Sequence, residues 1–478
     1  MSLEYIFLKH FLEEFMKLKM LLTMSAVLSL MACSSPSSSS DSVTSSNSGT
    51  SLSVETSSAS SSGVMVALPS IASPVYPNTL YATWKYKWYV TREQELAAGA
   101  TEDFATYFGA EAPARIRWDG GSSICEVSGM TGFSVALWNR AKMGCSVSEG
   151  IGYGMLITLF QNDMAAFDSL WGYNKGMRRA NWYDPYPSAL MPWMVKSFVD
   201  VVSSAAYAAA LDADIDAVTA LILAYYKFAS VDVARAQAYL TDALAIAETI
   251  WQQGINQSNY LIYPGNTTMW TSASGSGYQV HNLSYFSPVA FRLLAQVDPN
   301  NAARWNQVVA AQYAYMLQVQ ANGAGLLPDW SNEAFVAADP NSDSKLTYDS
   351  FDKEAVRVSW RIAWDYYWFQ SAEAASVLNT MANFIITKTG GDVSKISAKP
   401  YLFATGEAST TSKTNALAPH FVGSYCLMGM AGFNSAWFDN CTAYFNGLTI
   451  SESSYSYYPE ILQMLFSQLL NGNVQKPF

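Results

Sequence analysis

The chain has 478 residues and a formal net charge of −11; 14% of its residues are charged and 14% aromatic. An acidic chain without a basic run lacks the electrostatic footprint of a nucleic-acid binder, and an apolar half excludes disorder throughout. Three histidines and five cysteines, scattered along the chain, give no zinc-ligand spacing, so no metal is expected.

Residues 20–32, MLLTMSAVLSLMA, form an apolar run flanked by Lys17 and Lys19. The run is too short to span a bilayer and suits the core of a signal peptide. It ends in Leu30-Met31-Ala32-Cys33, which resembles a bacterial lipobox. The implied product begins at Cys33 with a lipid on its thiol, placing it in the cell envelope at the outer membrane or cell surface; the alternative is an ordinary cleaved signal peptide and a secreted product. Residues 34–63 hold 17 serines and almost nothing able to build a core. Residues 34–75 therefore read as a flexible linker after a signal segment over 1–33. An oxidising compartment follows, in which proximity favours Cys125–Cys145 and Cys426–Cys441, against four buried thiols.

Residues 76–478 read as one helical domain. Apolar residues recur with helical period over Met155–Trp171, Asp216–Ala229, Val233–Trp251, Pro288–Ala295, Ala302–Val319, Ala355–Phe384 and Tyr457–Leu470. A closed double ring of helices fits this length. The intervening loops are aromatic. Trp84, Trp88, Trp118, Trp138, Trp171, Trp182, Trp193, Trp270, Trp330, Trp360, Trp364 and Trp368 are more than a core requires, and flat rigid rings suit the C–H faces of sugars.

Three places set acids among aromatics and glycines. In Ser148-Glu149-Gly150-Ile151-Gly152-Tyr153-Gly154, a carboxyl between apolar walls has its charged form desolvated. Its raised pKa is what a general acid needs, whereas a first-turn helix glutamate is the plainer reading. Asp212, Asp214 and Asp216 open a long apolar helix, and three acids exceed what a cap uses. In Asp352-Lys353-Glu354-Ala355-Val356-Arg357, Glu354 and Arg357 share a helical face, and an arginine keeps a carboxylate ionised, as a general base must be.

The segments SEGIGYGM (148–155), FDSLW (167–171), ALMPW (189–193), ALDADIDAVTALILA (210–224), NLSYFSP (282–288), GLLPDW (325–330) and EAVRVSWRIAWDY (354–366) occur in that order. Together they resemble glycoside hydrolase family 8 over nearly all of residues 80–470. The resemblance implies an all-α (α/α)6 barrel with an aromatic-lined cleft, acting as an inverting hydrolase of β-1,4-linked polysaccharide, β-glucan ahead of xylan, without cofactor. Glu149 matches the proton donor, Asp212 the aspartate that holds the distorted sugar, Tyr285 a tyrosine near the attacking water, and Arg357 an arginine beside the base. Where many members have aspartate as the base, this chain has Glu354, with Asp352 as the alternative. Trp118, Trp193 and Trp360 are the expected sugar-binding tryptophans. The two carboxyls of an inverting pair should face each other across about 6.5–9.5 Å. A monomer is expected, as is a membrane link through the lipid alone and no nucleic-acid partner. The alternative function is a non-catalytic glycan-binding lipoprotein on the same scaffold.

Overall fold

Two residues in left-handed conformation, Asn162 (φ 58°) and Gln370 (φ 51°), divide stretches that the apolar period joins. The first ends a helix at Phe160 before another begins at Met164; the second separates Val356–Phe369 from Ala372–Thr389, whose start is capped by the Ser371 hydroxyl. The computed structural model describes residues 78–101, 108, 112–120, 125–126, 144–180, 190–198, 200–201, 208–266, 280–340, 348–450 and 455–478. Cys33 and the segments 1–33 and 34–75 lie outside the described residues, as do Trp138, Trp182 and Trp270.

In chain order the helices are α1 (Asn78–Trp88), α2 (Arg92–Ala97), α3 (Ser148–Phe160), α4 (Met164–Ala180), α5 (Leu211–Phe228), α6 (Val233–Gly254), α7 (Pro288–Val297), α8 (Ala302–Ala321), α9 (Val356–Phe369), α10 (Ala372–Thr389), α11 (Pro419–Met428), α12 (Ser435–Asn446) and α13 (Tyr457–Leu470). Helices α3, α5, α7, α9, α11 and α13 each pack on the next, and α13 returns to α3. This closes an inner ring. Outside it, α4, α6, α8, α10, α12 and α1 pack against the inner helices. The architecture is an (α/α)6 double ring.

The sequence explains which helices go inside. Residues Leu211 to Ala224 of α5 are all buried, as are His420 to Met428 of α11. A helix enclosed on every side has no polar face to show. Outer helices such as α6 and α8 carry an exposed polar stripe instead. At the α3–α5 crossing a side chain on Gly152 would meet the Ala213 carbonyl at 3.0 Å and the Asp216 Cβ at 3.1 Å, so the glycine sets how closely the helices approach.

Among the described residues, nine short strands lie in the connections. β1 (Tyr89–Thr91) pairs antiparallel with β2 (Ala114–Ile116), and β3 (Cys145–Val147), β4 (Met194–Lys196) and β5 (Asp200–Val201) form one sheet. β6 (Val280–His281) pairs with β7 (Ser331–Asn332), and β8 (Ser350–Phe351) with β9 (Tyr401–Leu402). Disulfides join Cys125 to Cys145 at the start of β3, and Cys426 in α11 to Cys441 in α12.

Candidate active site

All inner helices begin at the same end of the ring, and the chemistry-bearing residues sit at those beginnings. Glu149 is in the first turn of α3 and Asp212 in that of α5. Tyr285 ends the turn before α7, Glu354 lies just before α9, and Tyr457 is the first residue of α13. With Trp118, Trp193, Lys353, Arg357 and Tyr458 they line an open pocket of about 360 Å³.

Arg357 organises this pocket. Its Nη1 donates to Glu149 Oε2 at 2.7 Å, to Asp212 Oδ2 at 2.8 Å and to the Tyr153 hydroxyl at 3.1 Å, while Nη2 donates to Glu354 Oε2. The guanidinium lies 5.5 Å from the Tyr285 ring centre and 5.9 Å from that of Tyr458, a cationic group between two aromatic faces. Glu149 takes a second hydrogen bond on Oε1, from the Tyr457 hydroxyl at 2.9 Å. Gly150 makes room for that tyrosine: an added Cβ would stand 2.7 Å from its hydroxyl oxygen.

Burial pushes the Glu149 carboxyl above its usual range; Arg357 opposes the shift and Glu354 adds to it. Asp212 is pushed up to about 8 by burial, again against Arg357 and with help from Glu149 and Asp216. The favourable field of a helix N-terminus is outweighed at both positions by loss of solvent. The other two acids of α5 face away from the pocket. Asp214 pairs with Arg178 at 2.6 Å and accepts from the Met191 backbone. Asp216 makes a two-point pair with Arg361, with 2.8 Å for its Oδ2 contact.

Asp352 is directed elsewhere. Its Oδ2 accepts from the Ser412 and Thr414 hydroxyls at 3.2 and 3.3 Å, its Oδ1 from the Lys353 backbone, and it does not line the pocket. Of the two acids suggested for the base, only Glu354 stands at the cleft. Trp118 and Trp193 line the pocket as the sequence suggests, and Trp118 folds over Gly120, where a Cβ would meet the indole ring at 2.2 Å. Trp360 corrects the expectation. It is 1% exposed, packed beside Tyr153, Trp364 and Phe466, and belongs to the core because it continues the buried stripe of α9. Trp84, Trp88, Trp171, Trp330, Trp364 and Trp368 are buried as well.

Sequence reasoning passed over Asn282, Asp329, Tyr457 and Tyr458. Asn282 and Asp329 stand inside the NLSYFSP and GLLPDW segments, so a signal existed, although nothing local reveals what their side chains hold. Tyr457 and Tyr458 sit in a tyrosine cluster at the start of a helix, which reads equally well as packing.

The family model described as Glycosyl hydrolases family 8 matches residues 139–472. Endoglucanase 2 of Ruminiclostridium josui is 30% identical over 239 residues, covering 50% of this chain and 46% of that protein. Endoglucanase A of Acetivibrio thermocellus is 28% identical over 336 residues, covering 70% of this chain and 63% of that protein. The chain thus spans about half to two thirds of the length of these curated relatives. The structure of a β-1,3-1,4-glucanase from Paenibacillus sp. X4 aligns with a TM-score of 0.61 at 20% identity, over 83% of this chain and 91% of that one, a likeness of fold.

Proposed function

The chain belongs to the glycosyl hydrolases of family 8, and from that premise we propose that it is an inverting hydrolase of β-1,4-linked polysaccharide, with β-glucan preferred and xylan second. The observation that most supports a hydrolase is the meeting of Glu149 and Glu354 on one guanidinium at the wall of one cleft, while inversion is carried over from the family resemblance. Beyond the shared guanidinium the two carboxyls have different partners: Glu149 accepts from the Tyr457 hydroxyl and Glu354 from the Asn282 amide. Glu149, protonated because burial raises its pKa, gives its proton to the leaving glycosidic oxygen. Glu354, held by Arg357, takes a proton from a water that attacks the anomeric carbon from the opposite face. The old C–O bond breaks as the new one forms, the anomeric configuration inverts, and the proton returns from Glu354 to Glu149 through solvent. Asp212, buried and held by Arg357, binds ring hydroxyls of a distorted sugar, and Tyr285 stands beside the water. Trp118 and Trp193 supply flat faces for neighbouring sugars. The endoglucanase names of the curated relatives support glucan as the first choice.

Product analysis on soluble β-glucan, cellulose, xylan and chitosan tests the reading. Glucan products should appear first and carry the α-anomer initially; an initial β-anomer would exclude inversion. Glu149→Gln should lower kcat on the order of 10²–10⁴-fold. Wild-type activity no greater than that of this variant would indicate a glycan-binding protein on the same scaffold. The reading extends to a membrane tether at Cys33: labelling with a radioactive fatty acid should mark the wild-type chain and not Cys33→Ala.

A further inference from the structure

Asn282 directly follows β6 and is 1% exposed. Its Oδ1 accepts from the Ser284 backbone N–H at 3.1 Å and from the Ser284 hydroxyl at 2.6 Å, capping the short turn Leu283–Tyr285. Two donors on the oxygen fix the orientation of the amide. Nδ2 is left to donate to Glu354 Oε2 at 2.9 Å.

The partner strand β7 follows shortly after Asp329, whose Oδ1 accepts the backbone N–H groups of Asp352 (3.1 Å), Glu354 (3.1 Å) and Ala355 (2.8 Å). One ribbon, β6 with β7, therefore carries both grips on residue 354: Asn282 at its carboxylate and Asp329 at its backbone. Arg357 adds a second donor on Oε2. Among the described residues no hydrogen-bond donor reaches Glu354 Oε1.

We propose that Asn282 is a positioning residue that adapts the site to a glutamate base: by tethering Oε2 it restrains the longer side chain and leaves Oε1 as the oxygen offered to the nucleophilic water. This rests on the reading of Glu354 as the base. Compared with aspartate, glutamate has one more rotatable bond, and an unrestrained carboxylate would spread over positions of which few suit the water. A misplacement of about 1 Å can lower the rate on the order of 100-fold. The other groups facing Glu354 divide by charge. Arg357 is a cation in contact with Oε2, and Lys353 is a second, exposed on the same loop. Glu149 and Asp329 are acids that burial pushes above their usual range, and Tyr285 and Tyr458, held well above the usual tyrosine range by burial, stay neutral.

Asn282→Asp is the informative variant. It keeps an oxygen for Ser284, so the turn retains its cap, but replaces the donor by a carboxylate oxygen beside Glu354. We expect kcat to fall about 10- to 100-fold with KM within about threefold. The acidic limb of the kcat/KM profile should move to higher pH by about one unit or more, because the base then holds its proton more tightly. Asn282→Ala should shift the limb in the same direction by less. Glu354→Gln, measured in parallel, should fall to background. If it does, and Asn282→Asp unfolds normally with kcat and the acidic limb unchanged, the positioning role is overturned and the base stands. A lowered Tm without movement of the limb overturns it too, since that marks the turn cap alone. Near wild-type turnover by Glu354→Gln would overturn the base assignment itself.

Discussion

Arg357 meets more acid than one guanidinium neutralises. Three carboxyls share it, and two of these, Glu149 and Asp212, hold their protons above the usual carboxylate range because water is excluded. The consequence for stability has a definite sign. Asp212 titrates from 3.8 when unfolded to about 8 when folded. Across that interval the folded chain binds a proton that the unfolded chain has released, so stability falls as pH rises from about 4 to about 8. Asp212→Asn imitates the protonated group. Its Tm should exceed that of the wild type at pH 8 and approach it near pH 4, while polysaccharide cleavage is lost. Thermal unfolding at both pH values checks this; a difference in Tm that does not change with pH would contradict it.

At the scale of elements, the loop before α9 is built by a residue from another segment. Ala355, at the start of α9, offers no side-chain cap. Asp329 provides one from outside, accepting three N–H groups of the loop that presents Glu354. Its burial and the nearby Glu354 and Asp352 raise its pKa well above the usual value, yet one accepting oxygen is enough for the clamp in either protonation state. Asp329→Ala leaves those donors unpartnered, and we expect a loss of about 1–3 kcal/mol in stability. The displaced base should lower kcat on the order of 100-fold. Asp329→Asn retains the accepting oxygen and should stay close to wild type in both. Parallel Tm and kcat measurements decide: an alanine variant with a low Tm and full turnover would detach the clamp from catalysis. The same clamp explains why the base could not be chosen between Asp352 and Glu354 from sequence. Which of the two acids faces the cleft depends on Asp329 and on the Ser412 and Thr414 hydroxyls, all distant in the chain.

At the scale of the whole molecule, the double ring was legible because helix-length apolar stretches and seven ordered segments span most of the chain. Glu149, Asp212, Glu354 and Arg357 could be named before any coordinates because acids among glycines and aromatics marked three places and the resemblance to glycoside hydrolase family 8 picked the residues within them. What escaped has physical causes. Helix α11 (Pro419–Met428) is apolar on every side and shows no period, so nothing marked it as a helix. Trp360 looked like a cleft residue beside Arg357, although Trp360, Trp364 and Trp368 recur every four positions, the spacing of one buried helical face. Tyr457 had no local mark at all.

That tyrosine stands 308 residues after the glutamate it serves, on the last inner helix, which closes against the first. During synthesis Glu149 emerges early and must wait for Tyr457 before its hydrogen bond can form. A chain interrupted ahead of residue 457 would carry all three carboxyls and their shared arginine with one side of the circle missing. In such a ring the second hydrogen bond of Glu149 arrives only with α13.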